Sequence, residues 1–452
     1  MENFFKFKEN GTDIKTEIRA GMVTFMTMAY ILAVNPAILS AAGMEPGAIF
    51  TATIVASAIA CFIMGLYANR PFALSAGMGL NAYFAYTVVL AMGYTWQEAL
   101  GAILVEGIVF ILLTLTNVRE AIFNAIPLSL KHALTVGIGL FLCFIGLQNS
   151  HLVVDSPTLI GAFSFSKSLA DGTFNTAGIL ALLALVGILI DAFLCIKKVP
   201  GALLIGIFLI WFIGMVLEVL GVYIPAPASG YYSVIPENLI SMPASMSVSF
   251  MAFDLSGIFS FNFLAILLAF LIVDLFDTLG TVIGVASRLN ILDEKGRLPG
   301  IKKVLLADAV GTTASAICGT STVTTFVESS TGVEEGGRTG FTSIVVGCLF
   351  LMALFLSPLF LAIPSFATSP VLVIVGFMMM QQVARVDWND WLEAIPAYFS
   401  IIALVFFYSI SEGIAFGIIS YTILNFAAGR RDKLTPLMYI LTIVFIAHYF
   451  VI

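Results

Sequence analysis

Residues 319–340 read GTSTVTTFVESSTGVEEGGRTG, a run of Gly, Ser and Thr that holds one carboxylate, Glu328, among small hydroxyl side chains. Hydrophobic segments frame it on both sides, yet it is too polar for an ordinary spanning helix. Irregular backbone at membrane depth persists only where protein or a water-filled cavity satisfies its N–H and C=O groups. The stretch is therefore a candidate binding site, provided that the chain around it crosses a bilayer.

Composition says that it does. The 452 residues are 60% hydrophobic and 10% charged, with a mean hydropathy of +1.06, far outside soluble globular averages. Such a chain is a polytopic membrane protein whose surface meets the lipid bilayer, and nothing in it suggests nucleic acid as a partner. The net charge of −7 matters by position rather than by sum. Cys61, Cys143, Cys195, Cys318 and Cys348 fall singly in apolar stretches, which reads as small buried side chains rather than disulfides or metal ligands. The polar start MENFFKFKENGTDIK shows no cleavable signal pattern.

Runs of the roughly 17–25 residues needed to cross the hydrocarbon core fall near 18–39, 48–68, 72–90, 97–117, 131–148, 175–196, 199–221, 262–286, 304–319, 322–335, 339–363, 369–383, 391–408 and 411–428. The expectation is an all-α polytopic membrane protein of fourteen transmembrane segments. Lys and Arg concentrate in cytoplasmic loops, and of the twenty here only Lys167 falls in an outer loop. The N-terminus is thus expected in the cytoplasm. The stretch PLMYILTIVFIAHYFVI at 436–452 is short and apolar, open to lying along the interface or to spanning as a fifteenth helix, and reads better as a non-spanning tail. The Pro-rich connection 222–261 divides the spans seven and seven, and an odd number per half inverts the second half relative to the first, the topology of an inverted repeat.

In such a repeat span three corresponds to span ten. Span three reads PFALSAGMGLNAYFAY, with Gly77, Gly79 and Asn81 breaking its apolar texture, as Glu328, Ser329 and Gly332 break that of span ten. Paired interrupted spans point to a site at the bilayer midplane; close packing through small residues is the other reading of the glycines. Span eight adds Asp274 and Asp277, three residues apart on one helical face. Two carboxylates that close in low dielectric do not both ionise without compensation, which suits a proton-coupled carrier. Glu106 reads as a tertiary hydrogen-bond partner. Asp191 and Asp308 read as interfacial, and Glu334, Glu335 and Arg338 as a solvated cluster. His132, His151 and His448 have no metal-ligand spacing, and no catalytic triad, P-loop or dinucleotide fingerprint occurs, so neither an enzyme nor an ATP-driven pump has support.

The strings GMVTFMTMAYILAVNP, AGMGLNAYFAY, LIVDLFDTLGTVIGVA and TSTVTTFVESSTGVEEGGRTG resemble the purine permeases of the nucleobase/ascorbate transporter superfamily, in the guanine/hypoxanthine/adenine (AzgA-like) branch, over essentially the whole chain. The resemblance implies a seven-plus-seven inverted repeat with core and gate domains. Residues 1–15 would be a cytoplasmic segment, 16–117 and 262–364 the core domain, 118–221 and 365–428 the gate domain, 222–261 an extracellular connection and 429–452 a basic segment with the apolar tail. It further implies a homodimer in the cell membrane that takes up purine nucleobases by proton symport through an elevator-like movement, with no cofactor besides the proton. Asn81, Asp274, Glu328 and Ser329 would bind substrate; Asp277, Asp274 and Glu328 would serve proton coupling or support the site; Gly77, Gly79 and Gly332 would be the glycines of the broken spans. Glu328 is followed by Ser329 and Ser330 where the nucleobase/ascorbate branch has Asn, which favours purines over xanthine, uracil or ascorbate. Chemistry agrees: carboxylates accept from purine N–H groups and an asparagine amide both donates and accepts. Phe84, Phe276 and Phe326 could wall the ring. An anion carrier of the same architecture is the alternative, but it would want a positive group at the midplane and every Lys and Arg maps to a span end or loop.

Overall fold

The structure is a computed structural model that describes residues 2–451 except 117–125, 157–158, 227–230, 237, 258–259, 290 and 292–297. Arg119, Lys295 and Arg297, three of the twenty basic residues counted for orientation, lie outside the described residues. The chain is mostly helical, and among the described residues nine helices are long and apolar enough to cross a membrane. Shorter apolar helices occupy Met78–Ala91, Trp391–Phe406 and Pro436–Ala447. The helix Phe261–Arg288 runs 28 residues.

Helix starts follow local chemistry. Asp13 accepts from the Thr16 N–H ahead of Ile14–Met28, and Thr95 with Glu98 forms a capping box ahead of Trp96–Leu115; each satisfies N–H groups that the first turn leaves without acceptors. Where helices cross, glycine lets backbones touch, since lipid supplies no hydrophobic drive and packing must come from close approach. A Cβ on Gly139 would stand 2.6 Å from the Gly376 carbonyl oxygen, and one on Gly376 would stand 2.3 Å from that of Gly139. The helices Leu128–Asn149 and Ser365–Met380 therefore pack face to face. Gly65 and Gly340 meet in the same way.

Packing partners fall into two sets. Leu128–Asn149, Ile179–Ile196, Ala202–Val219 and Ser365–Met380 share contacts, with Trp391–Phe406 and Ile410–Ala427 against the first of these. Ile14–Met28, Pro46–Ile63, Trp96–Leu115, Ile301–Cys318 and Gly340–Ala353 form the other. The C-terminal helix Pro436–Val451 lies against Ile410–Ala427 and Phe261–Arg288.

The two polar stretches meet at the centre of the second set as strands. β1 (Leu74–Ala76) pairs antiparallel with β4 (Val323–Thr325) in the register Leu74↔Thr325, Ser75↔Thr324, Ala76↔Val323. The Gly77 N–H donates to the Thr322 carbonyl at 3.0 Å and the Phe326 N–H to that of Ala73 at 2.9 Å, extending the ladder at both ends. A separate hairpin joins β2 (Val153–Ser156) and β3 (Leu159–Ala162). β1 leads into the short helix Met78–Ala82, which continues as a π-helix over Tyr83–Ala91, and β4 leads into Ser329–Glu334. Gly319 enters β4 at φ +90°, and a Cβ there would stand 2.3 Å from the Ser249 carbonyl oxygen; no other residue suits that turn.

Candidate functional site

The side chains of β4 and its approach fasten it to the helices around it, one hydroxyl at a time. Thr320 accepts from the Asn35 amide at 3.0 Å, Ser321 donates to the Asn81 side-chain oxygen, and Thr322 donates to Glu106 at 2.9 Å. Thr324 lies 2.7 Å from the Thr278 hydroxyl, and Thr325 donates to Asp308 at 3.4 Å. The residues on both sides of these bonds are all buried, and a buried polar group without a partner costs roughly 1–3 kcal/mol. The ladder explains why hydroxyl residues, rather than aliphatic ones, fill this stretch.

Glu328 follows at the mouth of Ser329–Glu334. Its Oε1 accepts from the Tyr30 hydroxyl at 2.7 Å. Tyr30 comes from the two-residue break between Ile14–Met28 and Ile31–Ser40, and its ring leans on Phe326 at a centroid distance of 6.5 Å. Glu328 is half-buried whereas Ser329 is buried. The Ser329 Oγ accepts from the Ala73 N–H at 2.9 Å, so this hydroxyl anchors the entry to β1. Gly332 packs on the first helix: a Cβ there would stand 2.0 Å from Thr24 Oγ1 and 2.7 Å from the Ala20 carbonyl oxygen. Thr331 and Thr27 hydroxyls meet beside it at 3.1 Å.

From the other strand come Gly77, Gly79 and Asn81. A Cβ on Gly77 would stand 3.5 Å from Asp277 Oδ2 and 2.6 Å from Thr324 Cγ2, so the absence of a side chain opens the turn to that carboxylate. Gly79 serves a different end, since a Cβ there would stand 2.8 Å from Ile138 of the helix Leu128–Asn149. Asn81 is fully buried; its oxygen is taken by Ser321, and its Nδ2 has no hydrogen-bond partner among the described residues. Of the acidic pair, Asp274 is fully buried and bonded to Thr278 at 3.0 Å, while Asp277 is half-buried. Asp277 Oδ2 thus lies beside Gly77 at the end of β1, and Glu328 stands three residues beyond the end of β4. The structure thus brings together Asn81, Asp274, Asp277, Glu328, Ser329 and Gly77, and sends Gly79 and Gly332 to helix contacts.

Two further residues join the cluster: Tyr30, which the sequence reading passed over, and Asp308, which it read as interfacial; Thr278, one turn from Asp274 on the same helix, bonds to both Asp274 and Asp308. Asp308 is buried rather than interfacial. Its helix begins at Ile301, so at 1.5 Å per residue Asp308 sits about 8–9 Å along the axis beyond Lys302 and Lys303; the polar run GTTAS after it was the available signal. Asp191 is buried too, its carboxylate against Gly206. The cluster around Glu335 and Arg338 is tied down rather than loosely solvated: Arg338 donates to the Val333 and Gly337 carbonyls, and Glu335 pairs with Arg19 at 3.1 Å. Phe84, Phe276 and Phe326 are all buried. Among the described residues no three His, Cys, Asp or Glu side chains stand together as metal ligands.

Known proteins resemble this chain over its length. A family model described as "Permease family" (Xan_ur_permease) matches residues 15–416. The chain is 39% identical to the adenine permease AdeP of Escherichia coli K12 over 99% of this chain and 95% of that protein. It is 40% identical to the guanine/hypoxanthine permease PbuO of Bacillus subtilis 168, covering 99% of this chain and 100% of that one. Among solved structures, the transmembrane domain of the cyanobacterial bicarbonate transporter BicA superposes with a TM-score of 0.64 at 15% identity, covering 89% of this chain and 97% of that domain, a likeness of fold alone. The chain is therefore a permease and not an enzyme, and it belongs to the nucleobase/ascorbate permease family, in the branch of the adenine and guanine/hypoxanthine permeases.

Proposed function

We propose that this protein takes up purine nucleobases, whether guanine, hypoxanthine or adenine, by proton symport with elevator-like alternating access. The observation that carries the reading is the antiparallel meeting of β1 and β4, which sets Asn81 and Glu328 at one crossing beside Asp274 and Asp277. A neutral base needs acceptors for its ring N–H groups and a donor for its carbonyl or ring nitrogen. Glu328 offers the first and the unpartnered Asn81 Nδ2 the second. Similarity to permeases named for adenine and for guanine/hypoxanthine supports the purine class.

The same proposal takes the chain as fourteen spans in a seven-plus-seven inverted repeat, with interrupted third and tenth spans, in the cell membrane. The two packing sets of helices support a core that carries the site and a gate beside it, with Gly79 against Ile138 at their boundary. A cytoplasmic N-terminus follows from the Lys and Arg distribution, and a homodimer from the family resemblance. An anion carrier shares the architecture, but the groups that converge here are carboxylates. Replacing Glu328 by Gln removes the carboxylate and retains size. That variant, present in the membrane at wild-type level, is expected to lose accumulation of radiolabelled hypoxanthine; wild-type uptake would defeat the assignment.

A further inference from the structure

The hydroxyl of Thr278 is crowded by acceptors. Its Oγ1 stands 3.0 Å from Asp274 Oδ1, 3.0 and 3.1 Å from Asp308 Oδ1 and Oδ2, and 2.7 Å from Thr324 Oγ1. All four residues are buried. Asp274 and Thr278 lie one helical turn apart on Phe261–Arg288, Asp308 comes from Ile301–Cys318 and Thr324 from β4.

A hydroxyl has one hydrogen and two lone pairs. Thr324 can give its hydrogen to Thr278, and Thr278 can give its own to one carboxylate, or share it between both oxygens of Asp308. The other carboxylate then faces the Thr278 oxygen at hydrogen-bond length with no hydrogen between them. Two anions around one buried hydroxyl also repel. One additional proton closes the count: a carboxylic acid at Asp274 or Asp308 donates to the remaining lone pair of Thr278, which donates to the other carboxylate.

We infer that Asp274, Thr278 and Asp308 hold one shared proton, that this is the proton that moves with the purine, and that Asp277 and Glu328 are left to face the substrate. The inference rests on the symport reading above and names its coupling site. The other titratable groups at the bridge are Asp277 on the same helix, which senses Asp308 and Glu328; Glu328 with its Tyr30 hydroxyl; and Glu106, held by Thr322. Loss of the shared proton leaves two anions on adjacent helices, and Thr324 belongs to the strand that carries Glu328 four residues on. Protonation and substrate capture therefore act on one short segment.

Proteoliposomes with an internal pH dye and labelled hypoxanthine test this with Asp308→Asn, Thr278→Val and Thr278→Ser. The wild type is expected to move about one proton per purine. Asp308→Asn, whose amide supplies hydrogen permanently, should lose pH-driven accumulation by about tenfold or more, while counterflow of labelled purine falls by no more than about threefold. Thr278→Val should show the same split, and Thr278→Ser should restore coupling; the near-isosteric valine keeps the test alive if the asparagine variant fails to fold. Wild-type accumulation and proton ratio in both Asp308→Asn and Thr278→Val would overturn the inference, as would wild-type purine flux driven by a sodium gradient and indifferent to pH. No purine flux in the wild type under any gradient would overturn the transport reading itself.

Discussion

Replacing Tyr30 by Phe removes one oxygen from the site and little else. The phenol donates to Glu328 Oε1 at 2.7 Å, within the range of a hydrogen bond strengthened by charge. The ring is buried and leans on Phe326, contacts that phenylalanine keeps. Hydrogen bonds to charged groups contribute about 1.5–3 kcal/mol, and each 1.4 kcal/mol is about tenfold in affinity, so the range is roughly 10- to 100-fold. Glu328 is only half-buried, and water can replace part of the lost bond, which places the expectation near the lower end. The carboxylate then loses the contact that fixes one oxygen and turns the other to a purine N–H. Initial rates of labelled purine uptake should show KM raised about tenfold with Vmax nearly kept, since the mutation weakens binding rather than movement. Thermal stability of the purified variant should match the wild type. An unchanged KM in a variant present at wild-type level would refute the view that Tyr30 positions Glu328.

Two further substitutions separate the site from its supports. Gly332→Ala drives a methyl to within 2.7 Å of the Ala20 carbonyl oxygen, whereas a Cβ at Gly280 meets nothing within 4 Å; overpacking costs about 1–3 kcal/mol, so Gly332→Ala should lower both the melting temperature and purine affinity, and equal behaviour of the two alanine variants would show that the short helix is not seated on the first. Glu17 is buried and accepts from the N–H groups of Arg338, Thr339 and Thr342 at 2.9–3.1 Å and from the Thr342 hydroxyl at 2.5 Å. Glu17→Ala strands all four donors and should destabilise the protein by about 3 kcal/mol or more, read as a lower unfolding temperature in detergent with purine KM little changed in what folds; wild-type stability would show that the cap contributes nothing.

The carboxylates and the asparagine of the site were legible because burying them in a bilayer is expensive, which makes each conspicuous against apolar neighbours. Tyr30 was not, because a tyrosine is ordinary anywhere in a span and its partner lies 298 residues away. Asp308 was misread through its neighbours: Lys302 and Lys303 are close in sequence, but a helix carries its eighth residue well away from its second. The interrupted segments were visible as texture, while their conformation was not. Three-residue strands are too short to show an alternating pattern, and the register Leu74↔Thr325 joins halves of the chain that no local signal connects.

That conformation also reassigns the polarity of the opening stretch. A helix at this depth would satisfy its own N–H and C=O groups and leave its hydroxyls redundant. A strand leaves both backbone edges open, and another strand at the same depth is the partner that closes one of them. β1 and β4 supply each other with that partner. The second need is lateral: a three-residue strand has no packing face of its own, so Thr320, Ser321, Thr322, Thr324 and Thr325 reach Asn35, Asn81, Glu106, Thr278 and Asp308 on separate elements. The hydroxyls are thereby consumed as structure. What they hold in place is a backbone crossing beside which Glu328 and Asp277 stand half-buried and, among the described residues, the Asn81 Nδ2 has no hydrogen-bond partner. A polar stretch within a membrane is accordingly more scaffold than site, and its ligand is better read from the few groups that the scaffold leaves unsatisfied.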